Sequence, residues 1–227
     1  MESLSPSVEE AIAAVQSRVA AAARPGGRWM GGYAKVKVGS DPIYAQLCGL
    51  IEPGSRVLDL GSGVGLLGLV LEERRQGLST HGIEWDSRKV AFAQRLLRPE
   101  SPCRVEQGDI LRDPWPPADV VVLVDVLHYF PTAIQQELVA RIAAHLPPGG
   151  IFLLRVMNRG AGGRARFTRL LEKTAVAVRW NRAADVHWRT LQEIQEDLAG
   201  AGLVPALCLT EAQLLDGNCL VIASKPQ

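Results

Sequence analysis

In several places along this chain apolar residues gather into short, nearly unbroken runs, separated by longer stretches in which polar and apolar positions mix. A coarse reading of this pattern predicts strands near residues 56–60, 79–84, 103–107, 119–125, 151–156, 203–209 and 219–224, with helical segments between most of them. Asp119-Val-Val-Val-Leu-Val-Asp125 shows the pattern best, because a strand apolar at every position belongs in a sheet covered on both faces. The last two runs are joined by a polar segment containing Asp216-Gly-Asn218, which predicts an antiparallel hairpin at the sheet edge. The fold class expected is therefore α/β, a seven-stranded and mostly parallel sheet with helices on both faces and an antiparallel C-terminal hairpin. Upstream, the Ala-rich run from Ala11 to Ala23 reads as a helix. Ser7-Val-Glu-Glu10 supplies a capping box at its start, and Pro25-Gly-Gly27 marks its end.

The first strand runs through an acid into a turn with glycines at alternate positions, Val57-Leu-Asp-Leu-Gly-Ser-Gly-Val-Gly65. Glycines at 61, 63 and 65 let the chain turn sharply and approach a ligand closely, and the helix that follows offers backbone N–H groups. A dinucleotide fingerprint begun at Gly61 would need glycine at position 66, which is Leu66. Counted from Gly63, however, Gly63, Gly65 and Gly68 do satisfy G-x-G-x-x-G, so a nicotinamide oxidoreductase stays open on the glycines alone. Asp59 favours another class of ligand: a carboxylate two residues ahead of the first glycine suits a cationic group and serves a pyrophosphate poorly.

With these residues the chain resembles the class I S-adenosylmethionine-dependent methyltransferases, whose first motif is similar to Val57 to Gly65 and includes Ser62. The resemblance implies a Rossmann-like fold and S-adenosyl-L-methionine as cofactor. It gives Glu84, at the end of Thr80-His-Gly-Ile-Glu84 and followed by Trp85, the role of accepting both ribose hydroxyls. In Val105-Glu-Gln-Gly-Asp109-Ile110 it makes Asp109 the acceptor for the adenine amino group and Ile110 a surface for the ring. Residues 1–50 become an N-terminal helix and lid segment, and residues 51–227 the methyltransferase domain. By that reading Tyr33 or Lys37, in the glycine-rich stretch Gly31-Gly-Tyr-Ala-Lys-Val-Lys37, contacts cofactor or substrate; the N-terminal helix otherwise serves for packing or as a homodimer contact.

Ligands of open α/β sheets bind beyond the carboxyl ends of the strands. After the fourth strand the sequence reads Val124-Asp125-Val-Leu-His128-Tyr129-Phe130. Asp125 is expected at the cofactor and Tyr129 at the substrate. A neutral imidazole near its ordinary pKa of about 6.5 can take a proton at neutral pH, which makes His128 the candidate base or substrate-orienting group. No Asn-Pro-Pro-Tyr follows this strand, which argues against modification of nucleic acid bases or glutamine amides.

Composition adds limits. With 227 residues, 47% of them apolar and 22% charged, the chain can bury a large core without staples. Cys48, Cys103, Cys208 and Cys219 lack metal-ligand spacing, so no metal is expected. No basic-apolar leader and no spanning apolar run are seen, so a cytoplasmic enzyme with no membrane span is expected. The net charge is only +1, yet residues 155–189 hold nine Lys or Arg against Glu172 and Asp185, a local +7 that leaves −6 elsewhere. This basic substrate-side insertion, about 157–190, contains His187 and follows Arg155 in the fifth strand. Both are substrate-binding candidates for an anionic partner: a carboxylated or phosphorylated small molecule, an acidic acyl carrier protein, or, less favoured, RNA.

A narrower likeness rests on Lys37, Asp41-Pro-Ile-Tyr44, Asp125-Val-Leu-His-Tyr129 and Arg166-Phe-Thr-Arg-Leu170. These resemble bacterial methyltransferases found with fatty-acid-synthase-like enzymes that build aryl polyenes, which implies an aromatic or polyketide-like acceptor in secondary metabolism, free or carrier-bound and methylated at oxygen or carbon. The alternatives are an NAD(P)-dependent oxidoreductase and a non-catalytic cofactor-binding partner subunit.

Overall fold

The computed structural model describes residues 5–23, 28–157, 186–210 and 218–227. Most of the basic insertion, Arg159 to Arg182 with Phe167 and Trp180, lies outside these residues, as do the helix stop at Pro25 to Gly27 and the hairpin turn at Asp216-Gly217. Seven strands form one sheet in the order β3-β2-β1-β4-β5-β7-β6. They are β1 (Arg56–Leu60), β2 (Ser79–Glu84), β3 (Cys103–Gln107), β4 (Val120–Val124), β5 (Ile151–Met157), β6 (Val204–Thr210) and β7 (Asn218–Ser224). All seven expected strands are present within about one residue of the expected limits. The chain divides into two compact units, Met1–Val120 and Val121–Gln227.

In the first unit, β1 pairs in parallel with β2, and β2 with β3, in a register that sets Asp59 beside Gly82 and Glu84 beside Gln107. Helix α1 (Val8–Ala22) begins with the anticipated capping box: Ser7 Oγ accepts from the Glu10 amide, and the Glu10 carboxylate accepts from the Ser7 amide. Its buried Ala11, Val15 and Val19 recur every four residues, the spacing of one helix face. Arg18, on the same helix, bridges Glu72 at 3.0 Å and Glu73 at 3.2 Å, and Arg98 reaches the same two carboxylates. The glycine-rich stretch of the expected lid segment is helical: α2 (Arg28–Ser40) buries Gly31, Ala34 and Val38, and α3 (Ile43–Leu50) follows. Gly31 is needed for packing, since a Cβ there would lie 2.4 Å from the Ala23 Cβ.

Helix α4 (Leu66–Glu73) is buried almost throughout, and α5 (Ser87–Leu96) is capped by the Asp86 carboxylate. Gly68 lets α4 lie directly on the sheet, because a Cβ there would come within 2.3 Å of Cys103 Sγ and 2.6 Å of Thr80 Oγ1.

In the second unit β4 is a fully apolar strand, followed by a 3-10 turn (Leu127–Tyr129) and helix α6 (Thr132–His145). Helix α7 (Leu191–Gly200) carries a second capping box, Thr190 with Glu193. β7 is antiparallel to both β5 and β6, as the hairpin pattern requires, and a register shift between Pro205 and Leu207 falls where proline removes a ladder donor.

Overpacking at the α4–sheet contact predicts that Gly68→Ala destabilises the protein by about 1–3 kcal/mol. Gly49→Ala, in a helix where a Cβ meets nothing within 4 Å, should instead raise stability slightly. Thermal melts of the two variants check the contrast; equal effects would refute it.

Candidate functional site

The turn after β1 is built by its neighbour β2. The Gly61 and Ser62 amides both donate to the Ile83 carbonyl, at 2.8 and 3.2 Å, and the Gly65 amide donates to the Ser62 carbonyl at 2.9 Å. Gly61, Gly63 and Gly65 all have left-handed φ, at 76°, 59° and 73°. The last two need glycine for different reasons. A Cβ at Gly65 would strike Val105 Cγ2 at 2.8 Å, whereas one at Gly63 would project into open space, the kind of room a ligand needs beside bare backbone. Ser62 Oγ is buried, makes no hydrogen bond among the described residues, and lies 2.6 Å from where a Gly82 Cβ would be. Gly82 in β2 is thus the space that lets Ser62 fold inward.

Glu84, 3% exposed, holds the loop: Oε2 accepts from the Gly63 amide at 2.9 Å and Oε1 from the Asp86 amide at 3.0 Å, with Lys89 Nζ 3.9 Å away. Each carboxylate oxygen retains a second acceptor direction. Asp59 is buried, and its carboxyl is pushed up to about 7, first by burial and then by the charge of Glu84. Two acids and a glycine turn therefore come together at the ends of two adjacent strands. The Gly108 amide donates to the Glu84 carbonyl, which ties in the loop after β3. There Asp109 Oδ1 accepts from the Leu111 amide at 3.0 Å, and Ile110 is buried. Trp85 stays more than a third exposed, its carbonyl accepting from Gln107 Nε2. On α2 the Tyr33 ring stacks with Trp29, and Lys37 pairs with Asp41 at 3.0 Å, so that this lysine belongs to a local ion pair.

The second unit carries the other candidates. Asp125, just beyond β4, has a left-handed φ of 59°, a strained conformation for a residue with a side chain. Arg155, buried in β5, holds it with two parallel bonds, Nε to Oδ1 at 2.8 Å and Nη2 to Oδ2. These two, expected at cofactor and substrate respectively, are thus brought to each other. His128 sits in the 3-10 turn, buried, its ring 4.3 Å from Trp188 in a near-parallel stack and 4.2 Å from Tyr129 in a tilted one. Its carbonyl accepts from the His187 amide at 2.8 Å. The imidazole is pushed down to about 4, chiefly by burial, with Asp125 opposing and Arg155 adding to the shift. This departs from the near-ordinary value expected from sequence, because the aromatic cover removes water that would solvate the cation.

Beside the imidazole is a small cavity lined by Leu127, His128, Gln135, Val156, Trp188 and Ile194, among others. Gln135 and Trp188 were missed as site residues. Gln135 had a signal: it is a polar residue on the apolar stripe that continues through Leu138, Val139 and Ile142 of α6. Among the described residues no group of His, Cys, Asp or Glu could hold a metal, and no helix is long and apolar enough to cross a membrane. Gly68 lies inside α4 and serves the contact with Thr80 and Cys103, so the count from Gly63 does not by itself separate the two cofactor classes.

Comparisons with known proteins agree with this geometry. A family profile described as a methyltransferase domain matches residues 35–206. Acetylserotonin O-methyltransferase of Mus musculus is 31% identical over 150 residues, covering 62% of this chain and 38% of that protein. The tetracenomycin polyketide synthesis 8-O-methyl transferase TcmO of Streptomyces glaucescens is 31% identical over 102 residues, 44% of this chain and 30% of its own length. The chain thus spans less than half the length of these relatives. The crystal structure of magnesium protoporphyrin IX methyltransferase from Synechocystis PCC 6803 with bound SAH superposes with a TM-score of 0.64 at 18% identity, covering 92% of this chain and 93% of that one. The glycine turn with its paired acids, the sheet order and the family match together establish that this chain belongs to the class I S-adenosylmethionine-dependent methyltransferases.

Proposed function

We propose that the chain methylates a small-molecule acceptor, aromatic or polyketide-like, at oxygen, with the acceptor presented free or on an acyl carrier. The observation that carries the reading is the buried His128 imidazole, packed between aromatic rings at the end of β4. Two relatives named for O-methyl transfer, one acting on acetylserotonin and one in polyketide synthesis, support an oxygen acceptor. The residues of the first unit fit the cofactor: Gly63 offers bare backbone beside open space, Glu84 has acceptor capacity for hydroxyls, and Asp59 is a carboxyl that a nearby cation would ionise. S-adenosylmethionine supplies an activated methyl on a sulfonium, so the protein's work is alignment and proton management.

His128 is suited to the second task despite its depressed pKa. A neutral imidazole accepts a hydrogen bond from a hydroxyl and fixes the direction of the oxygen lone pairs. Once that oxygen begins to bond carbon it becomes far more acidic, and a base of pKa about 4 can then take the proton. Tyr129 and Trp188 supply aromatic surface beside it. His187, Tyr33 and Lys37 are assigned to the substrate side, Trp85, Asp109 and Ile110 to the adenosine. A cytoplasmic, biosynthetic setting fits these assignments.

A calorimetric titration with S-adenosylhomocysteine, run beside one with NADH, should show binding of the first alone. Glu84→Ala should weaken that binding about 10- to 100-fold, as loss of charge-assisted hydrogen bonds implies; undiminished affinity would overturn the assignment. For Asp59 the sign follows from its raised pKa: the stability it contributes to the ligand-free protein is complete below about 4 and lost as pH rises through about 7. Asp59→Asn should therefore be the more stable protein at pH 8 but not at pH 4 in urea unfolding, and an identical difference at both pH values would exclude this role. His128→Ala should lower kcat by about 10²–10⁴ and leave S-adenosylhomocysteine affinity nearly unchanged. Equal loss of turnover and affinity would make His128 structural.

A further inference from the structure

The side chain of Gln135 is 1% exposed, and its amide nitrogen donates twice, to the Phe130 carbonyl at 2.8 Å and to the His187 carbonyl at 2.9 Å. Phe130 directly follows the 3-10 turn that carries His128, and His187 immediately precedes Trp188. One carboxamide thus fastens together two backbone segments that meet across the imidazole. The His187 amide adds a third tie, to the His128 carbonyl at 2.8 Å. Beyond Trp188 the chain is fixed again: Arg189 pairs with Asp197 and donates to the Glu193 carbonyl, Thr190 caps α7, and Gln136 on α6 bonds Asp197 at 3.0 Å.

We propose that Gln135 is a positioning residue for His128, holding the segment 186–190 across the imidazole so that the ring stays dry and in one orientation. A buried carboxamide on an otherwise apolar stripe costs desolvation unless its bonds are made, and here both N–H groups are used on two separate chain segments. The proposal rests on the reading of His128 as the group that meets the acceptor. Its mechanism is local. Asp125 from the end of β4 and Arg155 from β5 set the charge around the ring, Tyr129 flanks it within the turn, and His187 and Arg189 lie on the overlying segment. Asp125, Arg155 and Tyr129 lie outside the segment that Gln135 fastens, whereas His187 and Arg189 ride on it, so a change in His128 titration on that substitution reports release of the segment from the ring.

The test is a histidine-ring NMR titration of the full chain, which needs neither cofactor nor acceptor. In the unaltered protein His128 should titrate near 4, and Gln135→Met, of similar volume without donors, should move it up by about one unit or more toward 6.5 as water reaches the ring. A folded Gln135→Met protein with His128 unmoved overturns the proposal, and so does a wild-type His128 that already titrates near 6.5. Should Gln135→Met fail to fold, Gln135→Asn, too short to span both carbonyls, is read in the same way. If His128 moves in these variants while His128→Ala retains full turnover, the positioning role stands and the catalytic reading of His128 falls.

Discussion

The bond from the Gly63 amide to the Glu84 carboxylate is the constraint on which the glycine turn after β1 is organised. It requires β1 and β2 to be adjacent and in register, a left-handed glycine at the bond, and a carboxylate at the end of β2. The Gly61 and Ser62 amides reach the same strand through Ile83, so three successive residues of the turn are fixed by β2. That leaves the loop preorganised around open space at Gly63, and the ordering cost is met by folding before any ligand arrives. Gly82 and Gly68 make the same point from the packing side. Each removes a Cβ so that Ser62 and α4 can lie where the turn demands.

Burial drives the two shifted groups in opposite directions and toward the same state. Asp59 is raised to about 7 and His128 lowered to about 4, in both cases first by desolvation. Between those values each group is neutral in the ligand-free protein. An acid in this condition gains most from a cation placed beside it, and an imidazole in this condition can accept a hydrogen bond without first losing a proton. The chemistry assigned to each follows from its neutrality as much as from its identity.

Much of this was legible in the sequence because it is local. β4, β5 and β7 appear as near-continuous apolar runs, the capping box at Ser7 as a four-residue pattern, and the glycine turn as a strand followed by alternating glycines. What could not be read depends on partners far along the chain. Arg155 looked like a substrate cation, since thirty residues hide its pairing with Asp125. Gln135 stands out only as a polar residue on an apolar stripe, because its partner His187 lies fifty-two residues on. The stretch from Gly31 to Lys37 is helical despite its glycines, because tertiary contact at Gly31, where only a missing side chain fits against Ala23, outweighs their weak helix propensity.

The Asp125–Arg155 pair shows how a strained backbone is held next to His128. A left-handed aspartate costs on the order of 1–3 kcal/mol, and glycine at that position would relieve it. Glycine, however, would take from the buried Arg155 guanidinium the carboxylate that accepts its two parallel bonds. The ion pair thus holds an aspartate in a conformation that glycine would adopt more easily. The consequence is geometric: the chain leaves β4 in one fixed direction, and the 3-10 turn that begins two residues later presents His128 from a point that the interior of the sheet controls.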